Sequence, residues 1–396
     1  MHVLLALGLL WWASVSLGAT LSEEVLTVDG VPRRYLLHDY SAGTPTALVI
    51  LLHGGGGSGQ NMAEQTGFDR VAAREGLIAV YPFGSNALFN NILLTWNAGH
   101  CCAYALERKV DDIRFLSQLI DHLIASGKVD PARVYVTGLS NGGMMAHRAG
   151  IELADKVTAI APVISSVFGD EPLVDQAMPT LIINGAVDDR VKAEGGPLTG
   201  FAFSSAPADL PTKPITAQGE YWAAVNNCGG FTDNSEALYL RRVWQNCRSG
   251  GAVESYVVKG NGHAWPGGTA ARGDADRPVT GVDANEVIWA FFQRFRSGPS
   301  RARPEAAYYY VGQLHVPALS AGEGAYRARL DLVGTQPVEF ALQRLTTLPA
   351  GTVTGSSSFA NDLLQLERVA VGWNRYRATL KLTSTEPLRL QLLYLR

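Results

Sequence analysis

Charged side chains are scarce in this chain. Of its 396 residues, 17% are Asp, Glu, Lys or Arg and 47% are hydrophobic, which excludes an intrinsically disordered protein. The formal net charge of −3 provides no positive field for a nucleic acid. The sequence also lacks a Walker-type phosphate loop, a His-Glu-x-x-His helix and a paired Cys-x-x-Cys, so neither a nucleotide cofactor nor a catalytic metal is expected. These absences predict a globular protein that works without a cofactor.

Cysteine is rare as well. Four cysteines occur, an even number that permits disulfides if the chain is exported. Cys228 and Cys247 flank a predicted two-strand segment and form the predicted pair. Cys101 and Cys102 are adjacent, and the sequence leaves open whether they form a strained vicinal disulfide or remain two buried thiols.

A long apolar run occurs at the N-terminus. Residues 3–18 are apolar and end in small residues, which is typical of a secretory signal, although no charged region precedes them. We predict a signal peptide at residues 1–19, cleaved after Gly18 or Ala19. The alternative is an uncleaved membrane anchor, but the run is slightly short for a spanning helix. The expected protein is secreted or periplasmic and has no stable membrane insertion after the signal is removed.

A Gly-x-Ser-x-Gly pentapeptide occupies residues 138–142, between a β-rich run that starts at Val134 and a helix-forming stretch from Met144. This is the pattern of a nucleophile elbow, a tight strand-to-helix turn that holds the serine clear of a sheet. A Cβ atom at position 138 or 142 would collide with the crossing strand and helix, which explains the two glycines. Ser140 is therefore the predicted nucleophile, and the alternative is a glycine-rich structural turn.

A serine nucleophile needs a base and a group that orients the base, in the chain order serine, acid, histidine for this kind of elbow. The apolar strand that begins at Thr180 is followed by Asp188 and Asp189, and its carboxyl end faces the same sheet edge as the elbow. We predict Asp188 as the acid and Asp189 as the second choice, although either could merely cap a loop. His263 follows a strand in a glycine-flanked loop and is the predicted base. His315 lies in a later β segment and is expected at the surface.

Two backbone N–H groups are needed to stabilise the oxyanion of an acyl-transfer intermediate. Asn141, directly after the nucleophile, is expected to supply one. The glycine run after the apolar strand at residues 48–52 is expected to supply the other, from Gly55 as first choice or Gly56 as second. The run could instead be a flexible loop with no catalytic part.

Several aromatic residues could surround the acyl group of a substrate. Trp96 and Trp265 are the predicted substrate contacts, and Phe201 and Phe203 are further candidates. Each of them could equally belong to the hydrophobic core, because a single aromatic residue carries no pattern that distinguishes a cleft from a core.

Apolar strands alternate with helices over the first three quarters of the chain. The predicted strands are 36–39, 47–52, 77–82, 134–137, 157–163, 180–184 and 253–259, and the predicted helices are 60–75, 111–126, 217–227 and 283–295. Such alternation predicts a mostly parallel sheet covered by helices on both faces. With the elbow, the fold class is an α/β-hydrolase.

The composition changes at residues 296–304, which are rich in Pro, Ser and Arg. An internal repeat with an offset of fifty residues follows: Leu314, Tyr326, Leu330 and Leu332 recur as Leu364, Tyr376, Leu380 and Leu382. We predict a hydrolase domain at 24–298, a linker at 299–307 and a small all-β, sandwich-like domain of two repeats at 308–396. This domain could bind a polymer or partner, with residues 308–310 as aromatic candidates, or could simply stabilise or dimerise the protein.

Five sequence strings together resemble one enzyme family. They are HGGGGS from His53, WNAGHCC from Trp96, VDDIRFL from Val110, GLSNGGMM from Gly138 and GHAWPG from Gly262. Over residues 24 to 298 the chain is similar to extracellular poly(3-hydroxybutyrate) depolymerases and to the feruloyl and acetylxylan esterases of carbohydrate esterase family 1. The resemblance implies a triad of Ser140, Asp188 and His263. The chain departs from the family at the start of the acid loop, where Asn184 replaces the usual histidine.

The sequence thus predicts a secreted serine esterase that acts on a polyhydroxyalkanoate or on feruloyl or acetyl esters of plant cell walls. The expected partner is an ester substrate, possibly polymeric. Two alternatives remain open: an acyltransferase on the same fold, and a non-catalytic binding protein that acts through the β tail.

Overall fold

The computed structural model describes residues 19–87, 92–199, 210–270, 276–297, 306–321, 324–331, 340–344, 357–360, 363–381 and 391–394. The predicted signal peptide lies outside these residues except for Ala19, and Phe201 and Phe203 also lie outside them. Among the residues described, no helix combines the length and the apolar character that crossing a membrane requires.

A ten-stranded sheet forms the centre of the first 260 residues. Its strands are β1 (Thr20–Val28), β2 (Val31–Asp39), β3 (Thr46–Leu52), β4 (Ile78–Pro82), β5 (Val129–Leu139), β6 (Ala159–Val163), β7 (Thr180–Gly185), β8 (Gly230–Ser235), β9 (Tyr239–Gln245) and β10 (Val253–Val258). Their order across the sheet is β1-β2-β4-β3-β5-β6-β7-β10-β9-β8. The six inner strands are parallel, and two antiparallel strands extend the sheet at each end. This is the mostly parallel sheet that the sequence predicts.

Seven helices accompany the sheet in the described part of the chain. They are α1 (Gly59–Thr66), α2 (Asp69–Glu75), α3 (Ala103–Glu107), α4 (Asp112–Ala125), α5 (Asn141–Glu152), α6 (Ile215–Val225) and α7 (Ala284–Phe292). The single helix predicted at 60–75 is wrong. Gly67 adopts the left-handed conformation, with φ 57°, and its N–H caps α1 at the carbonyl of Ala63. Glycine is the residue that most readily adopts this geometry, so the chain turns there before α2 starts.

The two faces of the sheet bury separate hydrophobic clusters. Along β3, Leu48, Ile50 and Leu52 pack on the face that also buries residues of α4 and α5, whereas Val49 and Leu51 pack on the face that buries residues of α1, α2 and α7. Every residue of β3 is buried, which is why the strand is apolar throughout rather than alternating. The helices therefore hold the central strands rigidly from both sides.

The carboxyl ends of the parallel strands meet at one edge of the sheet. The glycine run follows β3, Ser140 follows β5, Asp188 follows β7, and His263 follows β10. Ligands of open α/β sheets bind at this edge. The fold therefore brings segments that are far apart in sequence to one place.

Eight further strands occur beyond residue 306. They are β11 (Ala307–Tyr310), β12 (Gln313–Ala321), β13 (Gly324–Asp331), β14 (Phe340–Arg344), β15 (Ser357–Ala360), β16 (Leu363–Val371), β17 (Asn374–Lys381) and β18 (Gln391–Tyr394). β16 and β17 begin fifty residues after β12 and β13, in register with the sequence repeat. All eight belong to one hydrogen-bonded sheet in which β11 pairs with both β12 and β16, and β15 pairs with both β16 and β12.

This second sheet contacts α5 and the N-terminus of α4 through charged side chains. Glu152, at the end of α5, lies 3.7 Å from both His315 and Arg329, and Arg329 also forms a 2.7 Å ion pair with Asp111. His315 is 7% exposed and stacks on Tyr308, so the expectation that it lies at the surface is wrong. The reason is a contact between distant parts of the chain, which local sequence does not reveal.

The aromatic candidates for polymer binding are largely part of the same contact. Tyr308 is 4% exposed and Tyr310 is 3% exposed, and both belong to the core cluster that contains α4 and α5. Val311 approaches Gly99, in the segment before α3. These two tyrosines therefore face the core around α4 and α5 rather than solvent, and they are not available as aromatic contacts for a polymer.

Both pairs of cysteines lie within the first part of the chain. Cys228, after α6, and Cys247, after β9, are joined by a disulfide with sulfur atoms 2.04 Å apart. They enclose the hairpin of β8 and β9 as the sequence predicts. Cys101 and Cys102 have their sulfur atoms against each other, across a cis peptide bond, in the arrangement of a vicinal disulfide.

Candidate active site

Ser140 forms the turn between β5 and α5. Its backbone has φ 55° and ψ −120°, a strained conformation for a residue with a side chain, and its N–H bonds to the carbonyl of Val163 at 2.9 Å. A Cβ atom on Gly138 would collide with the carbonyl of Gly142, and one on Gly142 would collide with the carbonyl of Leu52. Glycine at both positions thus allows the crossing that lifts Ser140 from the sheet.

Ser140, His263 and Asp188 lie in hydrogen-bonding contact. Nε2 of His263 is 2.9 Å from Oγ of Ser140. Nδ1 of His263 is 2.8 Å from Oδ2 and 3.0 Å from Oδ1 of Asp188. With Nδ1–H donating to the carboxylate, Nε2 is left as the acceptor for the serine hydroxyl. This is the geometry in which an imidazole can remove the hydroxyl proton during attack.

Backbone groups hold the acid in place. Oδ1 of Asp188 accepts hydrogen bonds from the N–H groups of Arg190 at 2.8 Å and Val191 at 3.0 Å, which fixes the orientation of the carboxylate. The neighbouring Asp189 is exposed, and its carbonyl accepts a hydrogen bond from Thr199. Between the two acids that the sequence offers, the structure brings Asp188 to the histidine.

Two polar residues hold the histidine loop. Nδ2 of Asn261 donates to the carbonyls of Gly262 and Ala264, each at 2.9 Å, from inside the loop. The carboxylate of Asp276 accepts the backbone N–H of His263 from the other side. His263 therefore projects from a braced loop, with its imidazole directed at Ser140.

The backbone around Ser140 contains candidates for the two oxyanion donors. Asn141 is the first residue of α5, so its N–H has no partner within the helix. In the glycine run, Gly56 N–H donates to the carbonyl of Leu94 at 2.8 Å and Gly57 N–H to that of Gly54 at 3.0 Å. No acceptor for the Gly55 N–H is present among the described residues, and Gly55 lines the same cavity as Ser140. The hydrogen bonding therefore favours Gly55 over Gly56.

His53 fixes the shape of the glycine run. Burial lowers the pKa of His53 to about 4, so the ring is neutral at neutral pH. Its Nδ1 lies 2.8 Å from the carbonyl of Gly54, and its Nε2 accepts the N–H of Gly84 at 3.0 Å. A neutral imidazole has one donor and one acceptor, so the two partners select the Nδ1–H tautomer. The ring is fully engaged in this structural role and is not a second base.

The chain is similar to several known enzymes. "Putative esterase NocK" of Nocardia uniformis subsp. tsuyamanensis is 29% identical over 293 residues, which are 67% of this chain and 81% of that protein. Feruloyl esterase B of Piromyces equi is 29% identical over 229 residues, 55% of this chain and 39% of that protein. Poly(3-hydroxyalkanoate) depolymerase C of Paucimonas lemoignei is 24% identical over 238 residues, 55% of each protein. No protein-family profile matches the chain.

This chain is similar to feruloyl and acetylxylan esterases and to poly(3-hydroxyalkanoate) depolymerases. It is a carboxylic ester hydrolase. The resemblance predicted from the five sequence strings is confirmed. The hydrolase spans about two fifths of feruloyl esterase B and about half of the depolymerase, so the likeness does not extend to the whole of those proteins.

A cavity of about 340 Å³ opens beside Ser140 of the hydrolase. It is bounded by the glycine run, α1, the end of β5 and the histidine loop. Outside the triad, four apolar side chains line it, from Met62, Leu139, Ala264 and Trp265. The polar side chains that line it include Asn61, Gln65, Arg190, Thr269 and Asp276. The volume is at the lower end of the range for small-molecule sites.

The two predicted tryptophan contacts differ in position. Trp265 lines the cavity, although it is only 1% exposed and its indole N–H donates to Oδ1 of Asn285 at 3.0 Å. Trp96 is completely buried and does not line the cavity, so its prediction as a substrate contact is wrong. Its indole N–H is directed at the backbone of His53, which draws the ring into the core.

Sequence reasoning missed the polar wall of the cavity. Asn61 and Gln65 are four residues apart on α1, a spacing that places them on one face of a helix. That spacing was visible, but nothing in the sequence indicated that this face looks into the site. Arg190 and Asp276 carry no local pattern and reach the cavity only through the fold.

Proposed function

We propose that this hydrolase is a serine esterase in which Ser140 forms an acyl-enzyme. The observation that carries the proposal is the continuous hydrogen-bonded path from Asp188 through His263 to Ser140, with the 2.9 Å contact between imidazole and hydroxyl. The three residues come from loops after three different strands. A purely structural role would not require an acceptor nitrogen directed at a strained serine.

Acylation begins when Oγ of Ser140 attacks the ester carbonyl carbon. The hydroxyl proton passes to Nε2 of His263, the new C–Oγ bond forms, and the carbonyl π electrons move onto oxygen. The N–H groups of Asn141 and Gly55 hydrogen-bond this oxyanion. When the electrons return, the bond to the alcohol oxygen breaks, and His263 gives its proton to that oxygen.

Deacylation repeats the sequence with water. His263 takes a proton from a water molecule whose oxygen attacks the acyl carbon, and the oxyanion forms again at the same donors. The bond to Oγ then breaks, Oγ regains a proton from His263, and the carboxylic acid leaves. Asp188 keeps the imidazole in the required tautomer and stabilises its protonated form throughout.

The proposed substrates are feruloyl or acetyl esters of plant cell-wall polysaccharides, or a polyhydroxyalkanoate. The names of the relatives support these classes. The cavity supports a short acyl group, since Met62 and Leu139 offer apolar contact while Asn61, Gln65 and Thr269 offer hydrogen bonds. No relative reported above is named as an acyltransferase or as a binding protein, so neither of these alternatives is favoured.

We further propose the division of the chain into a signal peptide at 1–19, a hydrolase domain at 24–298, a linker at 299–307 and a tail of two repeats at 308–396. The matching register of the repeated strands supports the tail as a unit. Export to the periplasm or the medium is part of this proposal. Intact mass and N-terminal sequencing of the protein recovered from the periplasm and from the medium would test the export proposal. Retention of residues 1–19 in the recovered protein would contradict the predicted cleavage.

The decisive experiment compares the wild type with Ser140→Ala on aryl butyrate, methyl ferulate, acetylxylan and polyhydroxybutyrate film. We expect the wild type to hydrolyse at least one ester and the variant to lose that activity. A fluorophosphonate should label the wild type at Ser140 only. A folded wild type that is neither labelled nor active on any of these esters would refute the proposal.

A further inference from the structure

Trp96 contacts both segments that carry the oxyanion donors. It lies between β4 and α3 and is completely buried. Its indole N–H donates to the carbonyl of His53 at 3.0 Å, one residue before Gly54. Its own peptide groups are paired with the side chain of Asn141: Trp96 N–H donates to Oδ1 at 2.8 Å, and Nδ2 of Asn141 donates to the Trp96 carbonyl at 3.0 Å.

β3 and β5 are paired directly up to Leu52 and Gly138, and these three hydrogen bonds add a further connection between the two segments that follow those strands. His53 leads into the glycine run that contains Gly55, and Asn141 follows the nucleophile. Oxyanion donors act only when both lie about 2.7–3.1 Å from the developing negative charge. The distance between the two N–H groups therefore has to be fixed. A single residue that is bonded to both His53 and Asn141 can fix that distance.

Trp96 is itself anchored through the residue that follows it. The next residue, Asn97, donates its N–H to Oδ2 of Asp112 at 2.8 Å, and its carbonyl accepts a hydrogen bond from Nη1 of Arg148 at 2.7 Å. Asp112 is in turn paired with Arg33 at 2.7 Å, and all of these groups are buried. Since Trp96 cannot move freely, the position that it imposes on His53 and Asn141 is fixed by the surrounding fold.

We propose that Trp96 is a positioning residue that sets the distance between the two oxyanion donors. The inference rests on the proposed function, because it needs Asn141 and Gly55 to act on an oxyanion. It assigns to Trp96 a role in the stability of the tetrahedral intermediate and none in the binding of substrate.

The test is Trp96→Phe, which keeps an aromatic ring and removes the N–H that bonds to His53. Removal of a whole oxyanion donor costs about 10²- to 10³-fold in kcat, so a displaced donor should cost about 10- to 100-fold. We expect this loss in kcat with KM changed less than about twofold, because only the intermediate uses the donors. The affinity for an arylboronic acid, which forms a tetrahedral adduct on Ser140, should weaken by the same factor as kcat/KM.

Trp222→Phe is the matched control. Trp222 is also completely buried, and its indole N–H donates to Nδ1 of a buried histidine, His147, at 2.9 Å. It does not line the cavity, and among the described residues the side-chain hydrogen bonds of Asn141 go to Trp96 and Cys101 and not to Trp222. The control should lose a similar amount of thermal stability while its kcat stays within about twofold of the wild type.

The possible outcomes separate the two proposals. Normal kcat in Trp96→Phe, or equal losses of kcat in the two tryptophan variants, would overturn the role of Trp96 while the esterase proposal stands. If Trp96→Phe does not fold, Asn141→Ala provides the same test, because it removes the amide clamp on Trp96 and keeps the backbone N–H. Absence of hydrolysis and labelling in the wild type would refute the proposed function and this inference together.

Discussion

Asp188 and His263 face each other through a bidentate contact, with Nδ1 of the imidazole 2.8 Å and 3.0 Å from the two carboxylate oxygens. The side chain of Asp188 is 1% exposed and that of His263 is 7% exposed. Water therefore competes little for this contact. A charge developing on the imidazole would be stabilised by a carboxylate that backbone N–H groups already hold in place.

Replacement of this acid gives the first prediction. Asp188→Asn should reduce kcat by about 10⁴-fold, because an amide can donate to Nδ1 and so select the wrong tautomer of His263. Asp189→Asn is the control, since Asp189 is adjacent and exposed. Steady-state kinetics on an aryl ester would measure both variants. Equal activities would show that Asp188 does not orient the base.

A second prediction concerns the buried charges between α5 and the tail. Burial by itself would raise the pKa of Glu152, but the positive charge of Arg148 opposes this and the pKa is lowered. Nε of Arg148 lies 2.6 Å from Oε1 of Glu152. Glu152→Gln would leave the buried Arg148 without its carboxylate, whereas Arg329 would keep Asp111, so the free energy of unfolding should fall by about 3–5 kcal/mol.

Urea denaturation would measure this loss, with Asp233→Asn as the control. Asp233 pairs with Arg242 at 2.7 Å on the surface of the β8–β9 hairpin, and such pairs contribute about 1 kcal/mol or less. A Glu152→Gln variant no less stable than the control would mean that the charged contact between α5 and the second sheet is dispensable.

The third prediction is a decline of stability in mild acid. Burial lowers the pKa of His53, His147 and His315 to about 4 in the folded protein, against about 6.5 in the unfolded chain. Below pH 6.5 the unfolded state binds more protons, so stability is complete above that pH and decreases as the pH falls towards 4. Each histidine can contribute a loss on the order of 3 kcal/mol.

His147 offers the cleanest test of this pH dependence, since its partners Gln218 and Trp222 carry no charge. His147→Asn should be less stable at pH 7.5, yet its unfolding free energy should fall less steeply between pH 6.5 and 4, by about 1.4 kcal/mol per pH unit. The control is His122→Asn, which replaces an exposed histidine on α4. Parallel pH profiles for wild type and His147→Asn would contradict the assignment.

The fourth prediction concerns the disulfide that encloses the β8–β9 hairpin. Cys228 and Cys247 are separated by 19 positions, and a loop of this size restricts the unfolded chain by about 3 kcal/mol. The double variant Cys228→Ser, Cys247→Ser should be destabilised by roughly that amount and should keep its esterase kinetics at 25 °C. An unchanged denaturation midpoint would indicate that the bond contributes nothing to stability.

The sequence predicts those parts of the fold that follow from a repeated pattern of apolar residues or from a local steric requirement. Apolar strands separated by helices require a parallel sheet, and the carboxyl ends of its strands must share an edge. This is why Ser140, Asp188 and His263 could be predicted from the elbow pattern, their positions after apolar strands and their order in the chain. The elbow glycines belong to the same class, because the collision that each avoids is local.

What sequence could not supply are contacts decided across the fold. Gly55 and Gly56 are neighbours in one glycine run, so the sequence does not show which of them supplies an oxyanion donor. The structure distinguishes them because the Gly56 N–H is already bonded to the carbonyl of Leu94. The sequence around Trp96 does not indicate whether its side chain faces a cleft or the core. Its place in the core depends on the hydrogen bond between its indole N–H and the carbonyl of His53. The burial of His315 depends in the same way on a packing partner 163 positions earlier, Glu152.

In the tail, the first strand of each repeat pairs with strands of both repeats. β11 lies between β12 of its own repeat and β16 of the other, while β15 lies between β16 and β12 in the reciprocal arrangement. A chain cut midway would yield two halves, each with an unsatisfied backbone edge that only the other half complements. Two identical peptides interlocking by exchange of their first strands would build the same assembly, so the tail has the architecture of a dimer fused into one polypeptide.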